Sequence, residues 1–311
     1  MKINAPRKGS LQFWPRKRAR KLLPRVNWKV IDSESQLKGF ICYKCGMKSA
    51  IAKDNTPDSM TKGKEIAIPV TILECPPMKI LSVRFYKNGN VANEILNENL
   101  DKELKRKIKL PKTSKKITDI KAEEYEDVTV IAYSQVKKSG IKKTPDLIEI
   151  GLKGNVSEKI NFVKDNLNKE LSVLDFFKEG EVVDLRGLTK GKGFQGPVKR
   201  FGIKLRSHKA EKGVRKVGSI APWHPSRVPF RTPRAGQLGM FTRVIYNNKI
   251  ISSGKSEGKF KNIKNYGGIK TDYIILRGSV QGASKRQLII TRALRPTRKQ
   301  LKKNFQLIRI I

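Results

Sequence analysis

Residues Glu65 to Tyr86 read EIAIPVTILECPPMKILSVRFY, two short runs rich in β-branched and aromatic residues, split by Pro76-Pro77 and followed by Asn88-Gly89. Runs of this length and texture between turn residues predict strands, Glu65–Glu74 and Met78–Tyr86, joined by tight turns, so an antiparallel sheet starts here. Upstream, Phe40-Ile41-Cys42-Tyr43 has the same texture. Downstream it returns in Val128–Val136, in Leu147–Leu152, in the EVVDLRGL run that ends at Leu188, in Val244–Ser252 with a turn at Asn247-Asn248, in Tyr273–Val280 and in Gln287–Ala293. Val128–Val136 and Leu147–Leu152 are read as part of an insertion, and the other short strands at turn spacing predict a closed or half-closed barrel rather than a parallel α/β sheet.

The helical signals are confined to one region. Leu96–Leu110 is compatible with a helix, and Ser157–Leu171 has helical spacing with Ser157 as N-cap. Both lie almost wholly within residues 91–169, where 17 basic and 13 acidic residues approach the balance of an ordinary surface. The expected fold class is therefore mainly β with an α+β insertion. Its parts are a basic N-terminal arm (1–35), the first part of the barrel (36–90), the insertion (91–172), a resumption of the barrel (173–188), a long basic central loop (189–243), and the last part of the barrel with a basic C-terminus (244–311).

The charge sets the class of partner. The 311 residues are 38% hydrophobic, enough for at least one core, and carry a formal charge of +41. In a free compact protein such an excess repels itself unless an anion neutralises it, which points to nucleic acid first and an anionic membrane second. No run approaches eighteen apolar residues, no signal peptide is legible, and three cysteines suit a reducing cytosol.

Two stretches concentrate that charge. Residues 1–29 hold ten Lys or Arg and no acid, with Phe13, Trp14 and Trp28 interleaved. They read as an extended arm whose cations meet phosphates and whose rings stack on bases or fill a groove. A disordered tail or a nuclear-import-like cluster in PRKRARK is the alternative. Residues Arg186 to Arg243 hold 15 Lys or Arg against one acid, Glu211, together with nine Gly and five Pro. Lacking a long apolar run, this stretch predicts irregular structure held by a polyanion.

Several chemistries compete with that reading. Gly191–Gly196 matches G-x-G-x-x-G, but Pro197 and Gly202 stand where a dinucleotide fold needs a helix, and no acid follows at the ribose position. Cys42 and Cys45 have the spacing of half a zinc site; with only the isolated Cys75, His208 and His224 to complete it, packing is the preferred reading and no cofactor is expected. His208 and His224 lack a sequence-adjacent acid to orient a base, so both are assigned to RNA contact. Trp223, between Pro222 and Pro225, is either a buried anchor or a ring at a loop tip stacked on a nucleotide.

Together with APRKGSLQFWPRKRARK and GFICYKCGM, the stretches VDLRGLTKGKGFQGPVKRFG, GVRKVGSIAPWHPSRVPFRTPRAGQLGMFTR and DYIILRGSVQGASKRQLIITRALRP resemble, in order, the ribosomal protein L3 family in its archaeal and eukaryotic form. The resemblance implies a translation-protein-type β-barrel with long basic irregular extensions, a non-enzymatic constituent of the large ribosomal subunit. Its implied partners are large-subunit ribosomal RNA and neighbouring subunit proteins, with no membrane and no small-molecule substrate. It also implies a cytoplasmic location, a part in subunit assembly, and an arm and a loop directed toward the peptidyl transferase centre, with Trp223 at the loop tip. The expected RNA contacts are Arg16, Lys17, Arg18, Arg20 and Lys21 in the arm. In the loop they are Lys190, Lys192, Lys199, Arg200, Arg206, His208, Arg215, Lys216, Trp223, His224, Arg227, Arg231, Arg234 and Arg243. The chain departs from the family at its start, where Lys2-Ile3-Asn4-Ala5-Pro6 replaces a Ser-His-Arg type sequence. The competing classes are an RNA-modifying or nucleotide-using enzyme built on Gly191–Gly196, and a free RNA chaperone or translation factor.

Overall fold

The computed structural model describes residues 9–111 and 124–311; the departure at residues 2–6 lies outside them. The chain forms strands β1 (Gly39–Asp54), β2 (Glu65–Cys75), β3 (Met78–Lys87), β4 (Asn90–Leu96), β5 (Asp127–Ser134), β6 (Leu147–Gly151) and β7 (Val182–Leu188). After them come β8 (Phe194–Gln195), β9 (Gly236–Gln237), β10 (Thr242–Gly254), β11 (Asp272–Arg277), β12 (Gln287–Arg292) and β13 (Phe305–Ile310). The helices are α1 (Val136–Ser139), α2 (Val156–Asn166), α3 (Pro197–Phe201) and α4 (Arg298–Lys302). The fold is mainly β with an α+β insertion. It divides into two compact units: residues 23–187 with 244–311, and the described residues up to 22 with 188–243.

The first unit is built on a closed barrel. Its strands run β12-β7-β10-β11-β2-β1, and β1 pairs back onto β12 from Gly39↔Thr291 to Tyr43↔Gln287. Closure removes the sheet edges that would otherwise invite association. β1 is long enough to serve three neighbours, bulging between Lys44 and Gly46 and then pairing β13 from Ala50↔Ile310 to Asp54↔Phe305.

Alternation sorts the side chains. Phe40, Cys42, Leu73, Leu185, Ile250, Ile274, Leu276, Leu288 and Ile290, drawn from all six barrel strands, share one buried cluster. Their neighbours Ile72, Ile251, Tyr273 and Ile275 belong to a second cluster, against which Phe305, Leu307 and Ile310 of β13 pack. Fully burying each such side chain contributes about 1.5–3 kcal/mol, so the body has a core of its own.

The insertion is a four-stranded antiparallel sheet ordered β4-β3-β5-β6. It begins at Met78, so the second of the two opening runs belongs to it, and Tyr43 of the barrel reaches it by donating to Asp146 Oδ2 at 2.6 Å. Helix α2 buries Ile160 and Val163. Its N-cap is Asn155 rather than Ser157, because Glu158 at the third helical position accepts from the Asn155 N–H at 3.3 Å, closing a capping box. The region 96–110 yields one 3₁₀ stretch, Lys102–Arg106, rather than a longer helix.

Two further expectations change. Asn247-Asn248 is not a turn between strands: β10 continues through it, with Asn247 in the left-handed region at φ 58° and its N–H donating to the buried Asp184 carboxylate at 2.9 Å. Trp28 is no free stacking ring; its indole donates to Glu149 O at 2.7 Å, and a Cβ on Gly39 or Gly151 would meet it at 2.7 or 2.5 Å. Val26 and Ile31 pack on Ile289, so residues from 23 onward are part of the body. Strand β13 carried no expectation, although FQLIRI after Asn304 has the texture of a short strand.

Candidate nucleic-acid interface

The second unit starts from a narrow ribbon. The outgoing and returning limbs of the central loop pair through β8 and β9 (Phe194↔Gln237, Gln195↔Gly236). The Lys192 N–H donates to Leu238 O, and the Leu238 N–H to Gly193 O, each at 2.9 Å. The limbs approach so closely that Gly239, at φ 79°, has no room for a side chain: a Cβ would overlap the Lys190 carbonyl oxygen and lie 2.9 Å from its carbon.

Beyond the ribbon stands α3, a one-turn helix. Pro197 occupies its first turn, where no N–H is needed, and Gly202 ends it in the left-handed region at φ 62°. A helix therefore does follow Gly191–Gly196, contrary to the sequence reading, but it closes after five residues. Arg200 on α3 pins the return limb by donating to Gln237 O and Arg234 O, both at 3.0 Å. Burial lowers its pKa.

The arm packs on this base. Arg16 donates to Arg200 O at 3.1 Å and lays its guanidinium 4.4 Å from the Phe201 ring centroid. Trp14 stacks on Phe201 at 6.0 Å and meets Phe230 edge-on at 5.9 Å. Arg243 covers Phe13 at 4.4 Å, and the Ala19 N–H donates to Met240 O at 3.0 Å.

Past α3 the loop is held by little more than local turns, such as Arg206 N to Val214 O and Thr232 Oγ1 to Ile220 O. Trp223 is 88% exposed, and its ring meets His224 edge-on. A ring this exposed is not a buried anchor.

Among the unit's described residues, Leu188 and Phe201 are the buried large apolar side chains. Ordering each backbone residue costs about 1–2 kcal/mol, so two side chains cannot stabilise a loop of this length. Five Lys or Arg between residues 9 and 22 and fourteen between 188 and 243 face the single acid Glu211.

The structure sorts the expected contact residues. Lys17, Arg18, Arg20, Lys21, Lys190, Lys192, Lys199, Arg206, His208, Arg215, Lys216, Trp223, His224, Arg227, Arg231 and Arg234 are exposed. Arg16, Arg200 and Arg243 are half-buried and hold the arm and the loop base together. Phe194 and Phe230, rings 78% and 73% exposed, carried no expectation; their place among Gly, Pro and cations was the available signal.

Cys42 and Cys45 are both buried and fall in different core clusters. Burial pushes the Cys45 and Cys75 thiols well up, which favours the protonated form over a metal-binding thiolate. Among the described residues no group of three or more His, Cys, Asp or Glu is placed to hold a metal ion.

A family model, ribosomal protein L3, matches residues 1–308. The chain belongs to the ribosomal protein L3 family. It is 42% identical to large ribosomal subunit protein uL3 of Methanocaldococcus jannaschii, over 95% of this chain and 93% of that one. It is 39% identical to the uL3 protein of Archaeoglobus fulgidus, over 95% and 94%. Within this L3-family chain, the stretches that carried the resemblance run from the arm through the loop base and its tip to the last barrel strands.

Proposed function

We propose that the chain is a structural constituent of the large ribosomal subunit that binds large-subunit ribosomal RNA, supports subunit assembly, and extends its arm and central loop toward the peptidyl transferase centre. The observation that carries this is the second unit: nineteen cations against one acid, with Leu188 and Phe201 as its buried large apolar side chains. Such a segment takes a defined path when a polyanion surrounds it. Each Lys or Arg on a phosphate releases condensed counterions, while Gly and Pro set the path that the RNA completes. The chain's neighbours are then other large-subunit proteins, and its place is the cytoplasm.

The enzyme reading has little to rest on. Gly191–Gly196 leads into a one-turn helix with no following acid to hold a ribose, and His208 and His224 are exposed.

Trp223→Ala tests the tip directly. The purified variant is expected to unfold in denaturant as the parent does, while large subunits carrying it lose peptidyl transfer or transfer-RNA handling. A loss of about 3–5 kcal/mol in the melt, as truncating a buried aromatic costs, would contradict the tip assignment.

A further inference from the structure

The barrel unit carries a hollow that the arm and loop do not account for. It lies between β13, β10, β11 and the connection from β10 to β11, and has a volume of about 490 Å³. Its floor is apolar: Ile275 and Leu307 lie beside Phe260 and Tyr273, whose rings meet edge-to-face at 5.1 Å. Its rim is cationic, with Lys48, Lys259 and Lys261 among the lining residues and no acid among them. Ser252 and Asn262 add two hydrogen-bonding groups.

These polar side chains are uncommitted within the protein. Elsewhere the body uses cations in ion pairs such as Lys79–Asp101, Lys159–Asp127 and Arg292–Glu181. Among the described residues, the side chains of Lys48, Ser252, Lys259, Lys261 and Asn262 make no hydrogen bond or ion pair, although they converge on one hollow.

We infer that this hollow is a pocket for a single extruded nucleotide of RNA, its base against Phe260, the ring that Tyr273 supports edge-on, and its phosphates among Lys48, Lys259 and Lys261. The inference rests on the reading of the chain as an RNA-bound subunit protein. Charge complementarity favours a polyanion, and an aromatic floor with an apolar surround suits an unstacked base better than a bare phosphate.

The test uses intact large subunits carrying this chain. Lysine acetylation with an N-hydroxysuccinimidyl ester is compared between these subunits and the free protein, and ultraviolet cross-linking is followed by mass spectrometry of the peptides. The expected result is that Lys48, Lys259 and Lys261 react several-fold more slowly in the subunit and that a nucleotide adduct appears between residues 259 and 275. Phe260→Ala should cut the adduct yield roughly tenfold, the scale of one lost base–aromatic stack. Free reaction of the three lysines in the subunit, protection without an adduct, or carbodiimide cross-links from them to another protein's carboxylates would each overturn the pocket. Lys190 and Lys192 in the same spectra separate the two readings: if they stay protected while the pocket lysines react, the pocket alone fails; if all react, the RNA-bound reading fails too.

Discussion

Replacing Gly239 with alanine is expected to unseat the base of the central loop and leave the barrel folded. At φ 79° a side chain is strained whatever the space, which costs on the order of 1–3 kcal/mol. Here there is also no space, because the added Cβ would overlap the Lys190 carbonyl oxygen. The ribbon must open, breaking the Lys192–Leu238 and Leu238–Gly193 backbone bonds on which the limbs are registered. Limited proteolysis is therefore expected to cut the variant faster between residues 189 and 243, with the denaturant midpoint of the body little changed. An unaltered cleavage pattern would show that the ribbon does not hold the loop.

Glu74→Ala is expected to act on the other unit and to cost more stability. The Glu74 carboxylate is fully buried and accepts from the Lys270 N–H at 2.8 Å and from the Thr271 N–H and hydroxyl at 3.0 Å each, with the Tyr266 hydroxyl as a further donor. Burial pushes the Tyr266 hydroxyl far up, so it remains a donor even at a pH that ionises an ordinary tyrosine. Removing the acceptor orphans several donors at once; Thr271 and Tyr266 are half-buried and Lys270 is exposed, so at about 1 kcal/mol for each the expected loss is roughly 3 kcal/mol. A denaturant melt checks this. Glu74→Gln, which keeps an acceptor oxygen, should recover part of the loss, and a melt of Glu74→Ala that matches the parent would contradict the network.

Much of the strand framework was legible because its strands carry local signals. Glu65–Glu74 and Met78–Tyr86 show β-branched texture between turn residues, and β2 and β3 span Glu65–Cys75 and Met78–Lys87. Two of the misreadings share a cause: a local signal was outweighed by a contact distant in sequence. Asn247 resembles a turn residue until the Asp184 carboxylate takes its N–H, and Trp28 resembles a stacking ring until Glu149 O takes its indole. The same limit applies to the interface. Composition identified the basic segments, but it could not separate Arg16, Arg200 and Arg243, which bind the arm and loop base to each other, from the exposed cations around them.

The central claim is that the arm and loop form an electrostatic RNA-binding unit, and the salt dependence of binding tests it most directly. Affinity of the purified chain for large-subunit RNA is measured across a range of monovalent salt, beside a variant with Lys190, Lys192, Lys199, Arg206, Arg215 and Lys216 replaced by Gln. These six side chains are exposed and far from neutralised by the lone acid Glu211. If each meets a phosphate, the slope of log affinity against log salt falls in magnitude by roughly 4–5 in the variant, at about 0.7–0.9 per contact. An unchanged slope would contradict the account.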